Sequence, residues 1–221
     1  MSKKVDRRLV REAVRHERVI SIKTTNYLAE QRGYIDRVLE IFLEEARLTE
    51  YTNKIAYCVH ELAGNAWKGN VKRAYFRERE LDIHNQREYE AGMQEFRGEM
   101  LANVLRYTEL QQELGIHLRV DFQLSGDEAR ISIRQNIPVT EGERRRIEEK
   151  LSIAAEHSTM VTAYENAEDT AEGAGLGLIM TILMLRNIGL TEDVLEAEFT
   201  ETSTTVMLRL SREAEEDLQT A

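Results

Sequence analysis

Apolar residues return every three or four positions over residues 33–47, where Ile35, Val38, Leu39, Ile41 and Phe42, with Leu48 beyond, mark one face of a helix. The same period in Ile55, Val59, Leu62 and Ala66 predicts a buried central helix that continues through 71–85 and then breaks. Over 86–113, Tyr89, Met93, Phe96, Met100, Leu101, Val104 and Leu105 recur at threes and fours, predicting a single long amphipathic helix. Elsewhere the period drops to two. Ile116, Leu118, Val120, Phe122 and Leu124 alternate, Ser125-Gly126-Asp127 turns the chain, and Ala129, Ile131 and Ile133 alternate on the return. Residues 19–24 read as an earlier strand, and 194–200 with 204–210 as a final hairpin, Val206, Leu208 and Leu210 alternating.

The remaining segments follow from local signals. Thr140-Glu141-Gly142-Glu143 has capping-box spacing and opens a helix through Ile147, Leu151 and Ala154. Residues 158–166 read as a short helical turn, and 166–173, acidic and poor in apolar residues, as a flexible segment. Residues 176–188 are apolar nearly all round, which predicts a helix buried against the sheet and capped by Gly189. The charged stretch 4–17 carries a thin stripe of Val5, Leu9 and Val14, a helix that would pack on its own domain or on a second subunit. From Ser211 the chain is an acidic tail, expected to fray. Together these elements predict an α+β two-layer sandwich, a mixed sheet with helices on one face and a long extra helix.

Composition narrows the chemistry. A formal net charge of -10 over 221 residues argues against a nucleic-acid binder, because the basic clusters at 3–8 and 144–146 are flanked by acids. Cys58 is the single cysteine and falls in the apolar part of the central helix, which suits an inert buried thiol. There is no signal peptide and no apolar run long enough to span a bilayer, so the expectation is a cytoplasmic protein with no membrane contact.

Two stretches stand out as sites. In Glu61-Leu62-Ala63-Gly64-Asn65-Ala66-Trp67-Lys68-Gly69-Asn70, Glu61 and Asn65 are four apart and share a helix face, with Lys68 a turn further on. Such hard oxygen groups suit a hydrated Mg²⁺ carrying phosphates, since Mg²⁺ often takes only one or two protein ligands. In Glu172-Gly173-Ala174-Gly175-Leu176-Gly177-Leu178, alternate glycines lead into an apolar helix. Glycine lets backbone N–H groups approach an anion, and a helix N-terminus adds partial positive charge.

These boxes resemble the Asn-containing box and the second Gly box of the ATPase superfamily of gyrase, heat-shock chaperones, histidine kinases and mismatch-repair proteins. The resemblance spans roughly 18–210, with 1–17 as a helical extension, 86–113 as a helical insertion, 140–173 as the lid region and 211–221 as the tail. It implies a Bergerat-type ATP-binding fold whose plan is closest to anti-sigma-factor serine kinases. By matching position, Asn65 would be the Mg²⁺ ligand and Glu61 the base or water-orienting residue. Lys68 and Gly69 would lie near phosphate, and Gly173, Gly175, Leu176 and Gly177 in the phosphate loop. The first Gly box of that family, Asp-x-Gly-x-Gly, is replaced by Gln135-Asn136-Ile137-Pro138, where Gln135 or Asn136 would meet the base through an amide.

His16 and His60 both read as structural, which leaves no acceptor histidine within the chain. The resemblance therefore implies an Mg-ATP-binding signalling protein of histidine- or serine-kinase type, whose phosphoacceptor is a separate protein. The insertion helix would pack on the domain, on a partner or on a second copy in a homodimer. The rival expectation is a degenerate, non-catalytic module that regulates or scaffolds through protein contacts.

Overall fold

The computed structural model describes residues 5–156, 176–186 and 195–211. In chain order these form α1 (Arg7–Arg15), β1 (Ile20–Thr24), α2 (Ala29–Glu45), α3 (Thr52–Glu78), α4 (Gln86–Ala102) and α5 (Val104–Glu113). Then come β2 (Leu118–Ser125), β3 (Glu128–Gln135), α6 (Glu141–Glu156), α7 (Leu176–Arg186), β4 (Leu195–Phe199) and β5 (Thr204–Ser211). The turn at 158–166, the acidic segment 166–173, the Gly189 cap and the tail beyond Ser211 lie outside the described residues.

The expected α+β architecture is present, with one correction. The strands run in the order β1-β2-β3-β5-β4, and every described pairing is antiparallel rather than mixed. The chain crosses from β3 over α6 and α7 to β4 at the edge, then returns as β5 between them. A hairpin whose second strand inserts beside β3 removes the parallel neighbour that a helical crossover would otherwise create.

Register sorts the side chains by face. Ile20, Phe122, Ile131 and Leu208 lie in one cross-strand row, and Ile22, Val120, Ile133 and Val206 in the next. The row after that is Thr24, Leu118, Gln135 and Thr204, which puts Gln135 on the same face as the apolar rows. This face packs with α2, α7 and the first half of α3 into the main core, with Phe42, Ile55, Cys58, Val59 and Ile179 among its buried members. The opposite face carries polar pairs such as Arg119 with Asp121 (2.8 Å) and Ser21 with Asp121. Alternation with one wet face is the usual signature of an antiparallel sheet.

Helix α1 docks on its own domain. Val10 and Val14 are buried, while Arg7 and Arg11 reach Glu44 and Arg15 reaches Glu45 of α2. Leu9, expected in the apolar stripe, is 61% exposed, because Val10 takes the inward position instead.

The long helix expected over 86–113 is two helices. Asn103 leaves helical geometry (φ -127, ψ 34) and serves both as the C-cap of α4 and the N-cap of α5. The break lets both helices reach the second half of α3, where Val71, Ala74, Tyr75 and Phe76 join Phe96, Met100 and Tyr107 in a second core. Leu101 and Leu105 flank the break and stay exposed. The Met and aromatic residues of the insertion are thus chiefly core.

Candidate functional site

Helix α3 carries the candidate residues along its length. Its first half is held by the main core and its second by α4 and α5, so its position is fixed at both ends. Glu61 and Asn65 stand one turn apart as their spacing requires, and Asn65 Nδ2 donates to Glu61 Oε1 at 2.9 Å. That bond sets the amide so that Asn65 Oδ1 faces away from the carboxylate, which leaves a hard oxygen for a cation. Both residues are half-buried.

The start of α7 lies directly against this pair. A β-carbon built on Gly177 would overlap the Glu61 carboxylate, so only glycine permits so close an approach. A carboxylate beside the first turn of a helix meets its partial positive charge. Helix α7 is anchored beneath by Ile179 and Leu183 in the core, and by Cys58 Sγ facing the Thr181 carbonyl at 3.9 Å. Burial pushes the Cys58 thiol up to about 12, as suits an unreactive packing residue. Leu176 begins α7, whereas Gly173 and Gly175 lie outside the described residues.

The other expected ligands sit elsewhere. Lys68 is exposed on α3. Gly69 lies beside Gln135, where a β-carbon would stand 2.9 Å from Gln135 Nε2. Gln135 is buried, and its Nε2 donates to the Ala66 carbonyl (2.8 Å) and to Asn70 Oδ1 (3.0 Å). Asn136 closes the sheet end: its Oδ1 accepts from His117 N (2.7 Å) and its Nδ2 donates to Gly115 O (2.9 Å). The structure therefore gathers Glu61, Asn65 and Gly177 in one place and gives Gln135 and Asn136 partners within the protein.

Beyond Asn70, α3 carries charges that local patterning does not flag as a site. Lys72 and Arg73 converge on Glu143 of α6, Lys72 at 3.2 Å and Arg73 through both carboxylate oxygens. Arg73 also reaches the Gly69 and Pro138 carbonyls, and Tyr89 of α4 meets both Lys72 and Arg146. Burial by itself raises the Glu143 pKa, but the Arg73 charge and hydrogen bond, Lys72 and the Thr140 N–H outweigh it and hold the carboxyl at about 2. The capping box is realised as well, with Thr140 N to Glu143 Oε2 at 2.9 Å and Glu143 N to Thr140 Oγ1 at 3.2 Å. The sequence did hold a cue: Lys72 and Arg73 interrupt a run that is otherwise buried, and a buried cation needs a partner.

A second polar bridge runs through His60. Tyr27 Oη lies 2.5 Å from His60 Nδ1, and His60 Nε2 lies 2.5 Å from Asp36 Oδ1. With both ring nitrogens engaged, His60 ties the β1–α2 connection and α2 to α3, in keeping with a structural role. Burial raises the Tyr27 hydroxyl well above its ordinary range.

Among the described residues, no group of three or more His, Cys, Asp or Glu side chains is placed to hold a metal ion, and no helix is long and apolar enough to cross a membrane. Among the described residues, Asn70 Nδ2 and Trp67 Nε1 are buried and find no hydrogen-bond partner. An unpaired buried donor costs about 1–3 kcal/mol.

No protein-family model matches the chain. An uncharacterized protein of Treponema pallidum (strain Nichols) is 34% identical over 216 residues, which is 98% of this chain and 42% of that protein. The chain thus spans well under half the length of this relative. Among solved structures, the SiaB-SiaC complex from Pseudomonas aeruginosa contains a chain similar in fold, with a TM-score of 0.50 and 12% identity, covering 94% of this chain and 100% of that one. At that identity the likeness concerns the fold.

Proposed function

We propose that this chain is an Mg-ATP-binding, histidine-kinase-like signalling protein of the gyrase, heat-shock chaperone, histidine kinase and mismatch-repair ATPase superfamily, acting on a separate protein. The observation that carries the reading is the Asn65–Glu61 pair packed against Gly177 at the head of α7. Asn65 Oδ1 would hold Mg²⁺, whose charge neutralises phosphate. The helix start and its preceding glycines would receive the phosphates. Glu61, braced by Asn65, would orient the hydroxyl of an acceptor. Phosphoryl transfer asks a protein chiefly for positioning and charge stabilisation, which a fixed helix pair can supply. His60 is engaged at both nitrogens, which suits a structural role, and the acceptor would lie on another protein, in keeping with a fold neighbour solved as a two-protein complex.

The test is calorimetry with Mg-ATP on the native chain and on Asn65→Ala. Binding is expected in the first and lost in the second, with circular dichroism unchanged. Equal affinity in both would remove Asn65 from the site.

A second reading is a non-catalytic regulatory or scaffold module working through protein contacts. It is favoured by Gln135 and Asn136, whose amides are bonded within the protein at the place where the resemblance puts the base. Ligand binding to the native state raises the melting temperature, so no thermal shift at millimolar Mg-ATP would favour this module.

A further inference from the structure

Two bare leucines sit where α4 ends and α5 begins. Among the large apolar side chains described, Leu101 (66%) and Leu105 (69%) are the most exposed, and they lie four residues apart. The break at Asn103 does not turn the helices over, because Phe96 and Met100 before it and Tyr107 and Gln111 after it are all buried. The opposite face therefore also runs on across the break. On it the exposed residues Gly98, Leu101 and Leu105 follow at three and four, the spacing of a seam between paired helices. A β-carbon on Gly98 would meet nothing, so a neighbouring helix can come close there.

The flanking charges say what covers this seam. Arg97 precedes Asn103 by as many residues as Glu109 follows it, just as Leu101 and Leu105 straddle it evenly. Both charged residues are exposed, and no ion pair of either occurs among the described residues, whereas neighbouring Arg106 reaches Glu78 and Glu99. Opposite charges at equal distances on either side of an apolar centre make a face complementary to itself when turned end for end. That is what a two-fold interface requires, and an unrelated partner would impose no such symmetry. We propose that two copies of this chain pair antiparallel through α4 and α5, Leu101 against the partner's Leu105 and Arg97 against the partner's Glu109, each contact made twice. A contact confined to two helices falls at the small end of protein interfaces, below about 1,200 Å² in total, so the dimer forms and dissociates with concentration. The pairing is independent of any nucleotide.

The experiment is sedimentation equilibrium of the native chain from about 1 to 200 μM, the range in which small interfaces dissociate. The average mass is expected to climb from 25.6 kDa toward twice that value. Leu101→Lys is expected to stay monomeric throughout, with its melting curve at low concentration unchanged, because the side chain it alters is exposed. Arg97→Glu and Glu109→Arg should each weaken the dimer about tenfold or more, since each sets like charges together twice. Mixing these two variants in equal amounts restores the dimer, because every charge then meets its opposite; no contact elsewhere on the molecule predicts that rescue. A native chain that stays monomeric at the highest concentration overturns the proposal and leaves the seam to a different protein. A dimer that survives Leu101→Lys overturns it too, since that dimer uses another face. So does a mixture that stays as weak as its two components.

Discussion

The two ends of α3 treat their polar groups in opposite ways. At Glu61 and Asn65 the half-buried side chains bond each other, and Gly177 makes room for the Glu61 carboxylate. Two to three turns later, Lys72 and Arg73 are buried against Glu143, and that carboxylate also caps α6. Under the proposed function one end would receive a ligand; the other uses its charges to hold α3, α4 and α6 together. On that proposal the same helix would be both a site and a strut, with the two tasks on different turns. Substitutions at the two ends should accordingly fail in different ways.

The largest effect is expected at the strut. Glu143→Gln leaves Lys72 and Arg73 facing a neutral amide, and uncompensated buried charge costs about 3–5 kcal/mol, read from urea denaturation. The pH dependence carries the same signature. Because the folded carboxyl sits at about 2, below its unfolded value, its contribution is complete above the unfolded pKa and is lost as pH falls through the folded one. The native chain should lose stability between roughly pH 4.5 and pH 2, and Glu143→Gln should lack that part of the slope.

An intermediate effect belongs to Gly69→Ala. Its β-carbon would meet Gln135 Nε2 at 2.9 Å, pressing on a buried amide that also holds Ala66 and Asn70. Overpacking costs about 1–3 kcal/mol, less the gain of alanine in a helix, so the midpoint should fall modestly. The smallest change in stability is expected at the site end. In Gly177→Ala the helical preference for alanine, about 1 kcal/mol, offsets the displacement of a flexible Glu61 side chain. Mg-ATP affinity should nevertheless drop, because the Glu61–Asn65 arrangement is broken. A Gly177→Ala protein that binds as the native chain does would sever α7 from the site.

Much of this could be read from the chain before any coordinates. Helix and strand periods follow from side chains facing one core, which is why α2, the start of α3, the β2–β3 hairpin and β5 fall where the apolar spacing puts them. The i, i+4 spacing of Glu61 and Asn65 is local geometry, so their contact was implied as well. The bend at Asn103 was not, because the apolar repeat runs across it and only the need for both α4 and α5 to cover Tyr75 and Phe76 of α3 breaks the helix there.

What the sequence by itself determined, then, is most of the elements and the faces they bury, since those depend on neighbours a few residues away; the split at Asn103 and the inward face of α1 are the exceptions. Strand order, the fully antiparallel pairing, the closeness of Gly177 to Glu61, the clasp of Glu143 by Lys72 and Arg73, and the locked amides of Gln135 and Asn70 depend on partners far along the chain. Such partners meet only when the sheet and helices pack, so the tertiary structure alone decided them.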